Sequence, residues 1–340
     1  MTWLSNDLVE RLRDVVTRPE LPSERYVILR PIGRGGMGSV YAARDEQLGR
    51  EVAIKVSNAA APTGDLDQRL RQEARVLARL EHPGIVPVHD AGLLDDGRWF
   101  YVMKLVRGDT LAEHAASLEH GAARLVVFER VAETVAFAHA AGIVHRDLKP
   151  SNVMVGQFGE VLVLDWGVAR VLARADAGSN ADAANIASRS GNNVEGTAGG
   201  TRMGTSGFMA PEQAKGDAAG AGPPADVYAL GALLFWMWTR DTAPAHVDDI
   251  SRHLSTASPA PSKRLAAIIR KCLSPDPPDR YASATELIED LARYRQGLAV
   301  SAHRETAIER AGRWLIRYQT FVWLVLAYLV MRVAFAFLWR

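Results

Sequence analysis

The sequence predicts an α+β fold of two lobes, a small β-rich one followed by a larger helical one, with a hydrophobic helix at the C-terminus. Three observations carry this. From Arg25 to Leu105 the apolar residues fall in short runs of β-branched and aromatic residues separated by turn signals. Beyond Val106 they recur at helical spacing. The stretch "FVWLVLAYLVMRVAFAFLW", residues 321–339, is almost wholly apolar. With 340 residues, 48% of them hydrophobic, the chain is long enough for a substantial core. A formal net charge of +1 gives no general argument for a nucleic-acid or acidic partner. The single cysteine, Cys272 in "LAAIIRKCL", excludes an internal disulfide, fits a reducing compartment and reads as a small core residue.

Taken in order, "MTWLSNDLVERLRDVV" reads as an amphipathic helix capped by Ser5 or Asn6, within an extension over 1–24. "RYVILRPIG", "SVYAARD", "EVAIKVS" and "RWFYVMKLV" read as strands. One helix interrupts them: "DLDQRLRQEARVLARLEH" places Leu66, Leu70, Ala74, Leu77 and Leu80 on one face. Helices are expected over 109–118, 122–141, 224–239, 262–273 and 284–295. The small, polar, glycine-rich segment 173–203 lacks the apolar area that ordering requires and is expected to be flexible. The domain then spans 25–297, with lobes at 25–105 and 106–297, followed by a basic segment 298–320 and the hydrophobic helix 321–339.

Polar chemistry concentrates at a few places. "IGRGGMGSV" holds Gly33, Gly35 and Gly38 in a G-x-G-x-x-G spacing. Dinucleotide-binding folds share that spacing, but there a helix follows, and here an extended run does. The glycines therefore sit in a turn between strands, where backbone N–H groups can approach phosphates. A plain glycine-rich hairpin is the alternative. Lys55 closes the apolar "VAIK" and either snorkels to solvent or neutralises phosphate. Glu73, on the one helix of the β-rich half, is a candidate anion for it, or else part of a solvated face. In "VHRDLKPSN", Asp147 can take a proton from a hydroxyl, Lys149 can steady transferred negative charge, and Asn152 offers a hard oxygen to Mg²⁺. An exposed loop is the plainer reading. "VLVLDWG" drives a strand toward Asp165, a second candidate metal ligand.

The motifs "GRGGMGSV", "VAIK", "HRDLKPSN", "DWG" and "MAPE", in this order, resemble the eukaryotic-type protein kinases over residues 25–297. The resemblance implies the bilobal protein kinase fold and transfer of the γ-phosphoryl group of ATP, with Mg²⁺ or alternatively Mn²⁺. It implies Asp147 as catalytic base, Lys149 at the γ-phosphate, and Asn152 and Asp165 as metal ligands. Lys55 would bind the α- and β-phosphates and pair with Glu73. Ile32, Gly33, Gly35, Gly38, Val40, Ala53 and Met154 would surround the nucleotide. Met103 falls at the gatekeeper position, and Lys104 to Val106 at the hinge. "DLKPSN" and "GTSGFMAPEQ" are similar to serine/threonine kinases, and the wording as a whole most resembles the bacterial branch. By the same resemblance Thr205 would bond to Asp147 and Lys149, Glu212 would pair with Arg280, and Asp226 would brace the catalytic loop. A phosphorylated Thr201, with Thr197 as runner-up, would pair with Arg146. Protein substrates and the chain itself are the implied partners, and a dimer is compatible with them. The alternative is a pseudokinase scaffold that binds nucleotide without transfer.

The sequence departs from the family pattern at three places. Trp166 stands where phenylalanine is usual, and is expected to slow the flipping of the metal-binding segment. Residues 165–212 are longer than usual. The region from Thr239 to Pro261 is shorter, implying a reduced helix there. In the tail, 19 residues of helix would extend about 28 Å, close to a bilayer's hydrocarbon thickness. Arg332 costs roughly 2.5–3.5 kcal/mol at the centre, against roughly 0.3–0.6 returned by each Leu, Phe or Val. The expectation is a single span of the inner membrane with the kinase domain cytoplasmic, since Arg304, Arg310, Arg313 and Arg317 precede it. A helix lying on a lipid surface or packed on another chain is the alternative.

Overall fold

A computed structural model describes residues 19, 21, 24–35, 38–58, 65–118, 120–166, 170–171, 207–216, 222–244, 246–307, 310 and 318–338. The helix expected before Pro19 and the segment 173–203 lie outside these residues.

The smaller lobe is an antiparallel five-stranded sheet crossed by one helix. Its strands are β1 (Tyr26–Arg34), β2 (Gly38–Asp45), β3 (Arg50–Ser57), β4 (Val88–Leu93) and β5 (Trp99–Lys104), in the order β1-β2-β3-β5-β4. Alternation decides the two faces. Tyr41, Ala43, Val52, Ile54, Val56, Phe100 and Val102 point one way and form a buried cluster with Tyr26 and Ile28. Val40, Ala53, Lys55, Tyr101 and Met103 take the other face, because Val40 pairs with Lys55, Lys55 with Tyr101 and Ala53 with Met103. Helix α1 (Asp65–Arg79) packs on β3, β4 and β5, burying Leu70, Ala74 and Leu77.

The larger lobe is built on α3 (Gly121–Ala140), with α5 (Pro223–Thr239) and α8 (Ala284–Arg295) packed against it and α7 (Lys263–Cys272) beyond. Ser262 and Ser283 cap α7 and α8, each accepting a backbone N–H three residues on. Helix α5 is buried almost all round. Gly231 lets it approach α7 so closely that a Cβ there would strike Cys272, which is itself a buried core thiol. The larger lobe also holds the short strands β6 (Gly108–Thr110), β7 (Ile143–Val144), β8 (Val153–Gly156), β9 (Val161–Val163) and β10 (Arg170–Val171). They form a β6-β8-β9 sheet and a β7-β10 pair.

The bilobal architecture read from the sequence is the one observed, with differences of detail. The helix expected over 109–118 resolves into β6, the short α2 (Leu111–His114) and a 3-10 turn, Ala115–Ser117. Thr110 caps α2 in a reciprocal box with Glu113. Strand β4 escaped the sequence reading because "VHDAGL" carries polar and glycine residues, which an edge strand tolerates. The short Thr239–Pro261 region still forms a 10-residue helix, α6 (Val247–Thr256), anchored by buried Ile250 and Leu254.

The tail requires a correction. Helix α9 (Gln319–Leu338) forms where expected, with Trp323, Leu324, Met331 and Phe335 exposed. Among the described residues, however, no helix is long and apolar enough to cross a membrane. Arg332 interrupts the apolar run after Phe321–Met331, and a charge within the helix opposes insertion. The membrane anchor, the lipid partner and the inner-membrane location expected from residues 321–339 are therefore withdrawn. Helix α6 packs on α5 and α7, and the one-turn helix α4 spans Pro211–Ala214.

Candidate active site

The glycine turn joins β1 to β2. The Gly35 N–H donates to the Gly38 carbonyl at 2.9 Å, and Asn58 Nδ2 donates to the Gly35 carbonyl at 2.8 Å. Ser39 Oγ in turn donates to Asn58 Oδ1, so the end of β3 steadies the turn. The glycines differ in what they permit. A Cβ on Gly33 or Gly35 would meet nothing nearer than 3.9 Å, whereas one on Gly38 would lie 2.5 Å from the Val56 carbonyl oxygen. Gly38 is thus required by the β2–β3 approach. Gly33 and Gly35 leave the turn bare toward the cleft.

Beneath the turn, Lys55 Nζ lies 2.8 Å from both carboxylate oxygens of Glu73 on α1. Tyr101 Oη donates to Glu73 Oε1 at 3.0 Å. Burial pushes the Glu73 carboxyl above its ordinary value, with Lys55 opposing. Lys55 Nζ also lies 3.7 Å from Asp165 Oδ1, which ties the sheet to the helical lobe.

The loop between β7 and β8 carries the densest polar geometry. Arg146 has φ of 71° and Asp165 φ of 60°, left-handed conformations that non-glycine residues hold only when their surroundings impose them. Asp226, fully buried on α5, is part of that constraint. Its Oδ1 accepts the Arg146 N–H at 2.8 Å, and its Oδ2 accepts the His145 N–H at 2.7 Å and His139 Nε2 at 2.9 Å. Burial opposes ionisation of Asp226, but these donors outweigh it and hold its carboxyl below the usual range. Gln213 Nε2 donates to the Arg146 carbonyl at 3.2 Å, so the peptide before Asp147 is gripped at both ends. His145 accepts the Asp147 N–H on Nδ1 and donates from Nε2 to the Leu164 carbonyl. Both bonds together fix the Nε2-protonated tautomer.

Asp147 Oδ2 accepts Lys149 Nζ at 2.8 Å and Asn152 Nδ2 at 3.1 Å. Asn152 Nδ2 also donates to the Asp147 carbonyl at 2.8 Å, so Oδ1 is the Asn152 atom left for a cation. Asp165 follows β9 by two residues, its side chain 42% exposed. An amide oxygen and an accessible carboxylate suit Mg²⁺, which takes few protein ligands and completes its octahedron with water and phosphate oxygens. Among the described residues no group of three or more His, Cys, Asp or Glu forms a metal cage. Trp166 is buried, donates from Nε1 to the Val163 carbonyl at 3.1 Å and packs on the His145 ring at 4.6 Å between centroids.

Farther back, Arg280 binds Glu212 through two bonds, at 2.7 and 2.9 Å. On the sheet side, Ala53 is buried, Val40 and Met103 are half-buried, and Ile32 is exposed. Lys104 ends β5, Val106 follows it half-buried, and Met154 lies half-buried on β8, paired with Thr110 and Leu162. Thr201 and Thr205 lie outside the described residues, as does Thr197. Tyr101, His139, Gln213 and Asn58 were not singled out in the sequence, because each acts through a partner that only folding brings near.

A profile of the protein kinase domain matches residues 26–291. The chain belongs to this family. It is 34% identical over 301 residues to the serine/threonine-protein kinase PknD of Chlamydia pneumoniae, covering 81% of this chain and 31% of PknD. It is also 34% identical over 298 residues to PknB of Mycobacterium tuberculosis, covering 83% of this chain and 45% of PknB. A crystal structure of the Mycobacterium tuberculosis PknI kinase domain, a double mutant, superposes with a TM-score of 0.54 at 26% identity, covering 78% of this chain and 94% of that domain. The chain therefore spans less than half the length of these curated relatives. The relatives support the resemblance to bacterial serine/threonine kinases, and ATP- and Mg²⁺-dependent chemistry is typical of this kinase family.

Proposed function

We propose that the chain is a protein serine/threonine kinase, transferring the γ-phosphoryl group of ATP to serine or threonine hydroxyls of proteins, itself included. The observation that carries this reading is the convergence of Lys55, Glu73 and Asp165 from both lobes within ion-pair distance, next to the Asp147–Lys149–Asn152 loop.

Each residue has a defined task. Val40, Ala53 and Met154 sandwich the adenine, the backbone of Lys104 to Val106 meets its edge, and Met103 closes the back. Ile32 covers the mouth. Gly33 and Gly35 admit the phosphates, and Lys55, held by Glu73, neutralises their α- and β-oxygens. Asn152 and Asp165 would hold Mg²⁺, which would supply neutralisation of the phosphoryl oxygens. Asp147 Oδ2 is occupied by Lys149 and Asn152, so Oδ1 is the oxygen that accepts the substrate hydroxyl proton. The hydroxyl oxygen forms its bond to the γ-phosphorus as the bond to the ADP oxygen breaks, and Lys149 steadies the charge on the group in transit. Phosphorylated Thr201 would pair with Arg146, and Thr205 would bond to Asp147 and Lys149. Glu212, Arg280 and Asp226 hold the frame.

The test is incubation of the purified chain with γ-labelled ATP, Mg²⁺ and a generic protein substrate. Wild type is expected to label the substrate and itself on serine or threonine, and Asp147→Asn to lose about 10²–10⁴ of that rate. Equal rates for the two proteins would refute the reading.

A further inference from the structure

Tyr101 belongs to none of the motifs that mark this family, yet it occupies the centre of the nucleotide side. It pairs directly with Lys55 across β3 and β5, so the two side chains leave the same face of the sheet next to each other. Glu73 from α1 meets both at one atom. Its Oε1 accepts Lys55 Nζ at 2.8 Å and Tyr101 Oη at 3.0 Å. Three elements thus converge on one oxygen, and the site is dry: Glu73 is 2% exposed and Tyr101 1%. The Tyr101 ring has little freedom. It lies 6.5 Å from the Trp99 ring, over which Arg71 of α1 is placed.

We propose that Tyr101 is a positioning residue of the nucleotide site, whose hydroxyl holds Glu73, and through it Lys55 and α1, in the phosphate-binding arrangement. The inference rests on the kinase reading above. Its physical basis is competition for Lys55. The ammonium sits between Glu73 and Asp165, at 2.8 and 3.7 Å, and must also serve phosphate oxygens. Whatever part of it turns toward phosphate is lost to Glu73, and a buried carboxylate left with fewer donors is costly. Tyr101 is a neutral donor that phosphate does not compete for, so it keeps a bond on Glu73 while Lys55 is shared. The groups facing Glu73 are Lys55 from β3, Tyr101 from β5 and Asp165 from the loop after β9. Of these, Lys55 and Tyr101 favour its ionised form and Asp165 opposes it.

Tyr101→Phe removes the hydroxyl and keeps the ring. The expected result is a fall in kcat/KM for ATP of about tenfold, the worth of a hydrogen bond to a charged group. The acid limb of the pH profile should move to higher pH, because Glu73 then protonates more readily. In nucleotide-free protein, amides of Asp65–Arg79 should exchange faster than in wild type. A merely structural hydroxyl would lower thermal stability and leave both the limb and kcat/KM in place, and that outcome overturns the inference. The kinase reading fails separately: wild type that neither binds Mg²⁺-ATP by calorimetry nor transfers phosphate refutes it, and this inference with it. Active wild type matched by an equally active Tyr101→Phe refutes the Tyr101 role alone.

Discussion

Arg280 reaches 68 positions back along the chain to grip both carboxylate oxygens of Glu212. The same guanidinium donates to the carbonyls of Ser274, Pro224 and Pro275, and its side chain is wholly buried. It therefore closes the end of α4 onto α5 and the turn before α8. Arg280→Met should cost about 3–5 kcal/mol, because Glu212 and the carbonyls lose a buried partner. Arg280→Lys should recover little of this, since a point charge cannot satisfy a fork of acceptors. Urea unfolding of the three proteins measures both. A lysine variant as stable as wild type would contradict the geometric account.

The Trp166 indole makes a bond that a phenylalanine has no atom to make. Trp166→Phe should preserve packing on His145 and lose about 0.5–1.5 kcal/mol. Asp165, held at positive φ immediately before it, should become more mobile. Hydrogen exchange at Leu164 and Trp166 is expected to accelerate in the variant. Unchanged exchange would mean that packing alone fixes this segment.

Gly38 and Gly35 separate folding from binding. Gly38→Ala places a methyl against the Val56 carbonyl oxygen and should destabilise the chain by about 1–3 kcal/mol, the usual toll of overpacking. Gly35→Ala meets the Gly38 carbonyl oxygen only at an ordinary contact of 3.9 Å and should leave the melting temperature alone while weakening Mg²⁺-ATP binding. Thermal melts with and without nucleotide distinguish the two. Equal destabilisation by both substitutions would remove the distinction.

Asp290 predicts an acid limit on stability. Burial resists its ionisation, but it accepts the Ser301 N–H at 2.6 Å, Tyr281 Oη at 2.7 Å, Ser301 Oγ at 2.9 Å and the Ala302 N–H at 3.1 Å. These donors hold its carboxyl below the usual range. A depressed folded value means that the contribution is complete above the unfolded value of about 3.9 and is lost as pH falls through the folded one. Asp290→Asn should be the less stable protein at pH 7, and the gap should begin to narrow as pH falls below about 3.9 toward the lower folded value. Urea unfolding across that range tests it, and a gap independent of pH would exclude Asp290 as the titrating group.

By itself the sequence determined what local pattern can encode. The β-branched runs before Leu105 and the helical spacing after Val106 specify which segments bury which faces, and the glycine and "HRDLKPSN" motifs name residues whose chemistry has few other uses. Where local signal was weak, the reading missed: β4 is a polar edge strand, and α6 is held by Ile250 and Leu254 against a core assembled from distant segments. Tertiary structure alone decided the partnerships. Tyr101 gives no sign in sequence of a polar role, since an aromatic residue in a strand is ordinary core; sheet register and the seating of α1 place its hydroxyl on Glu73. His139 and Gln213 likewise gain their acceptors from segments 87 and 67 positions away. Gly38 carries a packing constraint that its motif does not show, because the obstacle to a side chain there is a carbonyl of the neighbouring strand. In the tail, composition specified a helix and the helix forms, but among the described residues no helix is long and apolar enough to cross a membrane. Hydrogen bonds and close contacts depend on distances of a few tenths of an ångström between residues far apart in the chain, and only the folded backbone sets those distances.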